Sequence, residues 1–237
     1  MIDWLITKAA DHPELLRGVP PAGMLSADEA VVFGSLKVTK RRQDWLLGRW
    51  TVKQLLQEAI RKESGQAVPH AAMSILAAKD GAPTVQFAAD YARYESRFTI
   101  SISHSHKTAF CAVLQKPDWP MGVDLEWIEK RPAQFAEQFF TEKERAFLKQ
   151  TPAYLTDVQI TALWSGKEAA LKAVRHGLRL DTRCVECHFG IVEQAPREWT
   201  RFHIQWDQQA ADKSLPRLQG WWQAADDYVL TMAIKEE

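Results

Sequence analysis

Asp124 and Glu126 stand two residues apart in Gly122-Val123-Asp124-Leu125-Glu126, separated by an apolar residue. On a strand, residues two apart project to one face, so this stretch would present paired carboxylates while Val123 and Leu125 face a core. Two hard oxygen ligands on a rigid element suit Mg²⁺, which keeps its remaining positions for water and phosphate. The same spacing also fits a solvated strand face.

Further along, Leu163-Trp164-Ser165-Gly166-Lys167-Glu168-Ala169-Ala170-Leu171-Lys172 offers a third carboxylate beside two cations for phosphate oxygens. On a helix Glu168 and Lys172 share a face, one turn apart, while Lys167 points elsewhere. An ordinary Glu-to-Lys helix pair, or a capping box from Ser165 to Glu168, would leave the same trace. Phe139-Phe140-Thr141-Glu142-Lys143-Glu144 carries the Thr-x-x-Glu signature of a capping box. Glu144 then opens a helix; beside an incoming hydroxyl it could also act as a general base.

Ser101-Ile102-Ser103-His104-Ser105-His106 places hydroxyls and imidazoles at a strand end, as donors to a phosphate, as a metal half-site through His104 and His106, or as groups bonded to backbone. Lys40, Arg41 and Arg42, followed by Arg49, suit either an anion or a solvated helix face. Cys184-Val185-Glu186-Cys187-His188 matches the c-type haem pattern. The segment alternates like a strand and no export signal precedes it, so it reads as a strand, with Cys111 as strand core.

These groups need elements to position them. Leu46, Leu47, Trp50, Val52, Leu55, Leu56 and Ile60 recur on one helical face and predict a helix from Ser26 to about Arg61, stopped by Ser64-Gly65-Gln66. Period-two alternation predicts a strand over residues 98–103, and a second follows from Thr108 to Gln115. Lys116-Pro117-Asp118-Trp119-Pro120 reads as a linker. Beyond it come a strand from Met121 to Trp127, helices from about Thr141 and from Thr156 to Val174, and strands near residues 184–192, 201–206 and 227–234. The stretch from Glu193 to Gln219 carries no usable motif. The layout is α+β in two lobes, residues 1–117 and 118–237.

An internal echo supports two lobes. Trp50-Thr51-Val52-Lys53-Gln54-Leu55-Leu56 and Trp164-Ser165-Gly166-Lys167-Glu168-Ala169-Ala170 share a pattern roughly half a chain apart. Only the second copy has a carboxylate, Glu168, where the first has Gln54.

The 237 residues carry 30 Lys+Arg against 30 Asp+Glu, so the formal net charge is zero. That balance argues against general nucleic-acid or membrane-surface binding and makes any anion site local. The 3 cysteines, an odd number, argue against a disulfide framework. With no apolar run near the roughly 18 residues of a membrane span, the expected setting is cytoplasmic.

Taken together and in order, these motifs resemble the surfactin-type 4'-phosphopantetheinyl transferases. The resemblance rests on Leu46-Leu47-Gly48-Arg49, Ile102-Ser103-His104-Ser105, the Gly122-to-Glu126 stretch, Phe139 to Glu144, and Trp164 to Lys172, and covers about Lys40 to Leu180. It implies two similar α+β lobes about a pseudo-twofold axis with coenzyme A in the cleft. The implied activity is Mg²⁺-dependent transfer of phosphopantetheine from coenzyme A to a serine of an apo-carrier protein, releasing adenosine 3',5'-bisphosphate. The same resemblance implies Asp124, Glu126 and Glu168 as metal ligands, and Lys172 and Lys167 on phosphate oxygens. Ser103 and His104 would contact the coenzyme's phosphates, one or another of Arg41, Arg42 and Arg49 would meet its 3'-phosphate where some members of the family use early lysines that this sequence lacks, and Glu144 would serve as base unless Lys172 mediates the proton. The carrier is expected on an apolar surface between Arg131 and Tyr154, near Lys143, Arg145 and Lys149. A monomer is the expected state. A metal-dependent phosphoesterase and a non-catalytic carrier-docking or coenzyme-binding module are the competing readings.

Overall fold

The computed structural model describes residues 2–207 and 215–237. The chain divides into two compact units, Met1–Trp119 and Pro120–Glu237. The first contains β1 (Ile2–Lys8), α1 (Pro13–Leu16), α2 (Ala27–Ser35), α3 (Thr39–Ser64), β2 (Met73–Ala77), β3 (Pro83–Phe87), β4 (Thr99–Ser105) and β5 (Thr108–Leu114). Three strands form an antiparallel sheet in the order β1-β5-β4, and β2 and β3 form a separate hairpin. Helix α3 packs on that sheet. Its buried Val52, Leu55, Leu56 and Ile60 meet Ile75, Ile100 and Val113, and full burial of each such side chain is worth about 1.5–3 kcal/mol.

The single helix expected from Ser26 to Arg61 is two helices. Ser26 caps α2 through a capping box with Glu29, and α2 then folds back so that Glu29 is buried against Lys53 of α3. A continuous helix could not make that return. Arg42 closes the corner by donating to the carbonyls of Phe33 and Leu36. Helix α3 ends where Gly65 adopts a left-handed conformation at φ 70°, which glycine tolerates without a Cβ penalty.

The second unit contains β6 (Met121–Trp127), α4 (Ala133–Phe139), α5 (Glu142–Gln150), α6 (Thr156–Ala173), β7 (Val185–His188), β8 (Thr200–Trp206), β9 (Leu218–Ala225) and β10 (Tyr228–Lys235). Its antiparallel sheet runs β6-β10-β9-β8-β7. Helix α6 is buried along most of its length and lies against β6 and β10. Small residues permit the close approach: a Cβ on Gly122 would sit 2.1 Å from the Ala169 carbonyl oxygen and 2.6 Å from the Ala173 nitrogen.

The architecture is α+β, a sheet with a long helix in each unit, as the sequence predicts. The sequence patterns above mark neither strands β1, β2, β3 and β9 nor helices α1 and α4. In β1 the burial pattern shows no alternation, and β9 begins at the edge of the stretch that carried no motif, part of which lies outside the described residues. Ser165 and Glu168 lie in mid-helix, so they form no capping box. Among the described residues no helix is long and apolar enough to cross a membrane.

Candidate metal and phosphate site

The contact that Gly122 permits between β6 and α6 brings their carboxylates together. Asp124, Glu126 and Glu168 each offer one oxygen, and these oxygens lie within 4.8 Å of one another. Opposite ligands of a Mg²⁺ octahedron stand about 4.2 Å apart, twice the Mg–O bond, so small side-chain rotations suffice to close the three on one ion. The donor set, all carboxylate oxygen, suits a hard divalent cation and fits the expected metal.

The electrostatics agree. Burial and the neighbouring Asp124 push the Glu168 carboxyl up to about 7. Glu126 is likewise raised, by burial and by Asp124, against the opposing pull of Arg131 and Trp164. Crowded carboxylates of this kind resist ionisation without a cation to share. Lys172 supplies part of the compensation, with Nζ 2.5 Å from Asp124 Oδ1 and 3.6 Å from Glu168 Oε2. Burial alone would lower its pKa, but Asp124 and Glu168 outweigh that and raise it, so Lys172 stays an ammonium. It remains 29% exposed, which leaves it accessible to a phosphate.

Two groups around the cluster carried no signal in the sequence reading. Arg131 donates to Glu126 Oε2 at 3.0 Å, and the Trp164 indole N–H donates to Glu126 Oε1 at 3.3 Å. Trp164 belongs to the helix motif, but nothing in the sequence ties its ring to β6. Arg131 lies in the irregular turn after β6, where no periodicity predicts direction.

In the second unit, Glu144 and Lys167 require correction. Glu144 is 2% exposed, and both its oxygens are engaged: Oε1 accepts from the Cys187 backbone at 2.8 Å, and Oε2 accepts from the Thr141 backbone at 2.9 Å. Oε2 also pairs with Lys167 at 2.8 Å. Lys167 is fully buried and donates to the carbonyls of Thr182 and Val185. A carboxylate so occupied has no access to an incoming hydroxyl, and an ammonium so enclosed has none to a phosphate. The physical reason is helical phase: Glu168 faces β6, so Lys167, one position away, faces α5 and β7.

In the first unit, Ser103 and His104 lie on β4 beside α3. His104 Nδ1 is 4.0 Å from Asp44, which pairs with Lys40 at 3.1 Å. His104 is exposed and Ser103 is buried. Arg49 stacks on Trp45 at 4.4 Å; burial pulls its pKa down to about 10, and its Nε has no hydrogen-bond partner among the described residues. Arg41 is exposed. Arg42 differs from the expectation for an anion ligand: besides its two carbonyl bonds it stacks 3.9 Å over Phe33, which commits it to the α2–α3 corner. His106 lies beyond β4 and bonds Ser105 at 3.1 Å, and no metal cluster among the described residues includes it or His104.

Residues 120–233, which include every carboxylate of the cluster, match the 4'-phosphopantetheinyl transferase superfamily. The second unit is thus similar to members of this superfamily. A 4'-phosphopantetheinyl transferase, gsp of Aneurinibacillus migulanus, is 33% identical over 78 residues, 33% of this chain and 32% of that protein. Another, HetI of a Nostoc species, is 28% identical over 163 residues, 66% of this chain and 62% of that protein. The matched stretches thus span about a third and under two thirds of these relatives' lengths. Among solved structures, the holo-[acyl-carrier-protein] synthase of Thermotoga maritima is 19% identical, with 58% of this chain and 73% of that one covered at a TM-score of 0.38. The superfamily segment begins at β6 and ends within β10, so it frames the carboxylates but leaves Arg49, Ser103 and His104 outside it.

Proposed function

We propose that the protein transfers 4'-phosphopantetheine from coenzyme A to a serine of an apo-carrier protein, with Mg²⁺ held by Asp124, Glu126 and Glu168. The observation that carries this reading is the convergence of those three carboxylates with Lys172 inside the superfamily segment. Bound there, Mg²⁺ would neutralise the pyrophosphate and stabilise charge on the leaving bisphosphate. Lys172, as an ammonium, neutralises a phosphate oxygen rather than accepting a proton. Asp124 and Glu168 orient that ammonium from two elements at once. In the reaction the serine oxygen forms a bond to the phosphorus that carries pantetheine, the pyrophosphate P–O bond breaks, adenosine 3',5'-bisphosphate leaves with that bond's electrons, and the serine proton passes to water. Arg49, Ser103 and His104 supply coenzyme phosphate contacts, with Arg49 favoured over Arg42, whose guanidinium is spent on the Phe33 and Leu36 carbonyls.

The exposed side of α5, with Lys143 and Lys149, and the exposed Tyr154 in the turn beyond it form the surface proposed for an acidic carrier helix. The protein acts as a cytoplasmic monomer in this reading.

Intact-protein mass spectrometry of several apo-carriers incubated with this protein, coenzyme A and Mg²⁺ tests it. The expected result is gain of one phosphopantetheine arm, abolished by EDTA. No gain across the panel would overturn the proposal, and coenzyme A hydrolysis independent of carrier would replace it with a phosphoesterase.

A further inference from the structure

Glu126 is gripped on both oxygens by side chains that do not themselves ligate. Trp164 Nε1 holds Oε1 at 3.3 Å and Arg131 Nη2 holds Oε2 at 3.0 Å. A carboxylate has about four lone-pair positions, so two such bonds fix its plane and still leave lone pairs for an ion.

The two donors share a support. Phe135 of α4 lies 5.3 Å from the Arg131 guanidinium and 5.3 Å, edge to face, from the Trp164 ring. Phe139 packs on Trp164 beside Phe135, at 5.0 Å from the indole and 4.8 Å from the Phe135 ring. Arg131 is only 18% exposed, so its fork is held by packing as well as by charge. The other arm of the fork, Nη1, pairs with Glu129 at 3.1 Å. That second carboxylate matters for the sign of the effect. A lone guanidinium beside a metal ligand competes with the metal; one already neutralised by Glu129 repels it little and keeps its geometry.

We propose that Arg131, together with the Trp164 N–H, is a positioning residue that orients Glu126 toward the divalent ion; this rests on the metal reading of the cluster. Groups that hydrogen-bond metal ligands from behind typically contribute about 10- to 100-fold in metal affinity. Lysine cannot replace the fork, because a single ammonium cannot span Glu126 and Glu129 while stacking on Phe135.

Binding of Mn²⁺ alone to the full-length protein, followed by the electron paramagnetic resonance signal of the free ion, tests this apart from turnover. Wild type should bind one Mn²⁺ and Glu168→Gln should lose it. Arg131→Met should raise the dissociation constant about tenfold, with Arg131→Lys between the two and circular dichroism unchanged. An unchanged or tighter constant in Arg131→Met would overturn the positioning role. Should that variant fail to fold, wild-type affinity in Arg131→Lys overturns it instead. Failure of wild type to bind Mn²⁺ overturns the metal reading, and the arginine's role with it, whereas binding by wild type with no effect at Arg131 removes only the latter.

Discussion

Lys167 and Glu144 pair at 2.8 Å with both side chains out of water, and the first unit repeats the arrangement with Lys53 and Glu29. In each unit a Ser or Thr caps a helix by a capping box whose glutamate is the buried partner. Each glutamate also accepts a strand N–H, from Ile75 in one unit and Cys187 in the other. Each lysine donates to two further carbonyls, Met24 and His70 or Thr182 and Val185. The clamp thus ties a helix start, a long helix and a strand at one point, and it is the structural content of the sequence echo around Trp50 and Trp164.

Breaking one partner of such a buried pair leaves an uncompensated charge, at a cost of about 3–5 kcal/mol. Glu144→Gln or Lys167→Met alone should therefore lower the denaturation midpoint strongly, while the double variant recovers most of the loss. If the recovered double variant keeps its transfer rate, Glu144 is no general base. Equal losses that simply add would argue against the clamp.

Glu168→Ala should reduce transfer by several orders of magnitude while the fold survives, because the side chain is only partly buried and its partners are cluster members. Circular dichroism together with the carrier mass assay checks both halves. Wild-type transfer in this variant would remove the metal mechanism.

His70 provides a pH effect. Burial and the nearby Lys53 ammonium pull its pKa down from the ordinary 6.5 to about 4, with the ring against Trp50 at 5.2 Å. Between those values the unfolded chain binds the proton and the folded one does not, so this group's contribution to stability is lost as pH falls from 6.5 toward 4. Proton NMR should report imidazole titration near 4, and His70→Phe should flatten the acid limb of the stability curve. Titration near 6.5 would contradict the buried environment.

Gly122→Ala tests what brings the carboxylates together. The added methyl meets the α6 backbone at 2.1 Å, and backbone cannot yield as a side chain does. The second unit should lose about 3 kcal/mol or more, and any folded fraction should bind Mn²⁺ poorly because β6 and α6 have separated. Calorimetry and metal titration on the same sample measure the two effects; a stable variant with wild-type affinity would show that the approach is not needed.

Local chemistry was legible from residue order. Alternation in Gly122-to-Glu126 predicts the strand and the shared face of Asp124 and Glu126. The helix spacing of Glu168 and Lys172 predicts their pairing, and Thr141-x-x-Glu144 predicts a cap. These patterns rest on the fixed 2.0 and 3.6 periods of strand and helix, which any sequence displays directly. Tertiary structure decided which of several permitted roles each residue takes. Helical phase sends Lys167 to a buried carboxylate while sending Glu168 to β6. The α2–α3 corner claims Arg42 but not Arg49. Arg131 reaches Glu126 from an irregular turn. Such partners are chosen by how elements pack across long stretches of chain, and no local period encodes that distance.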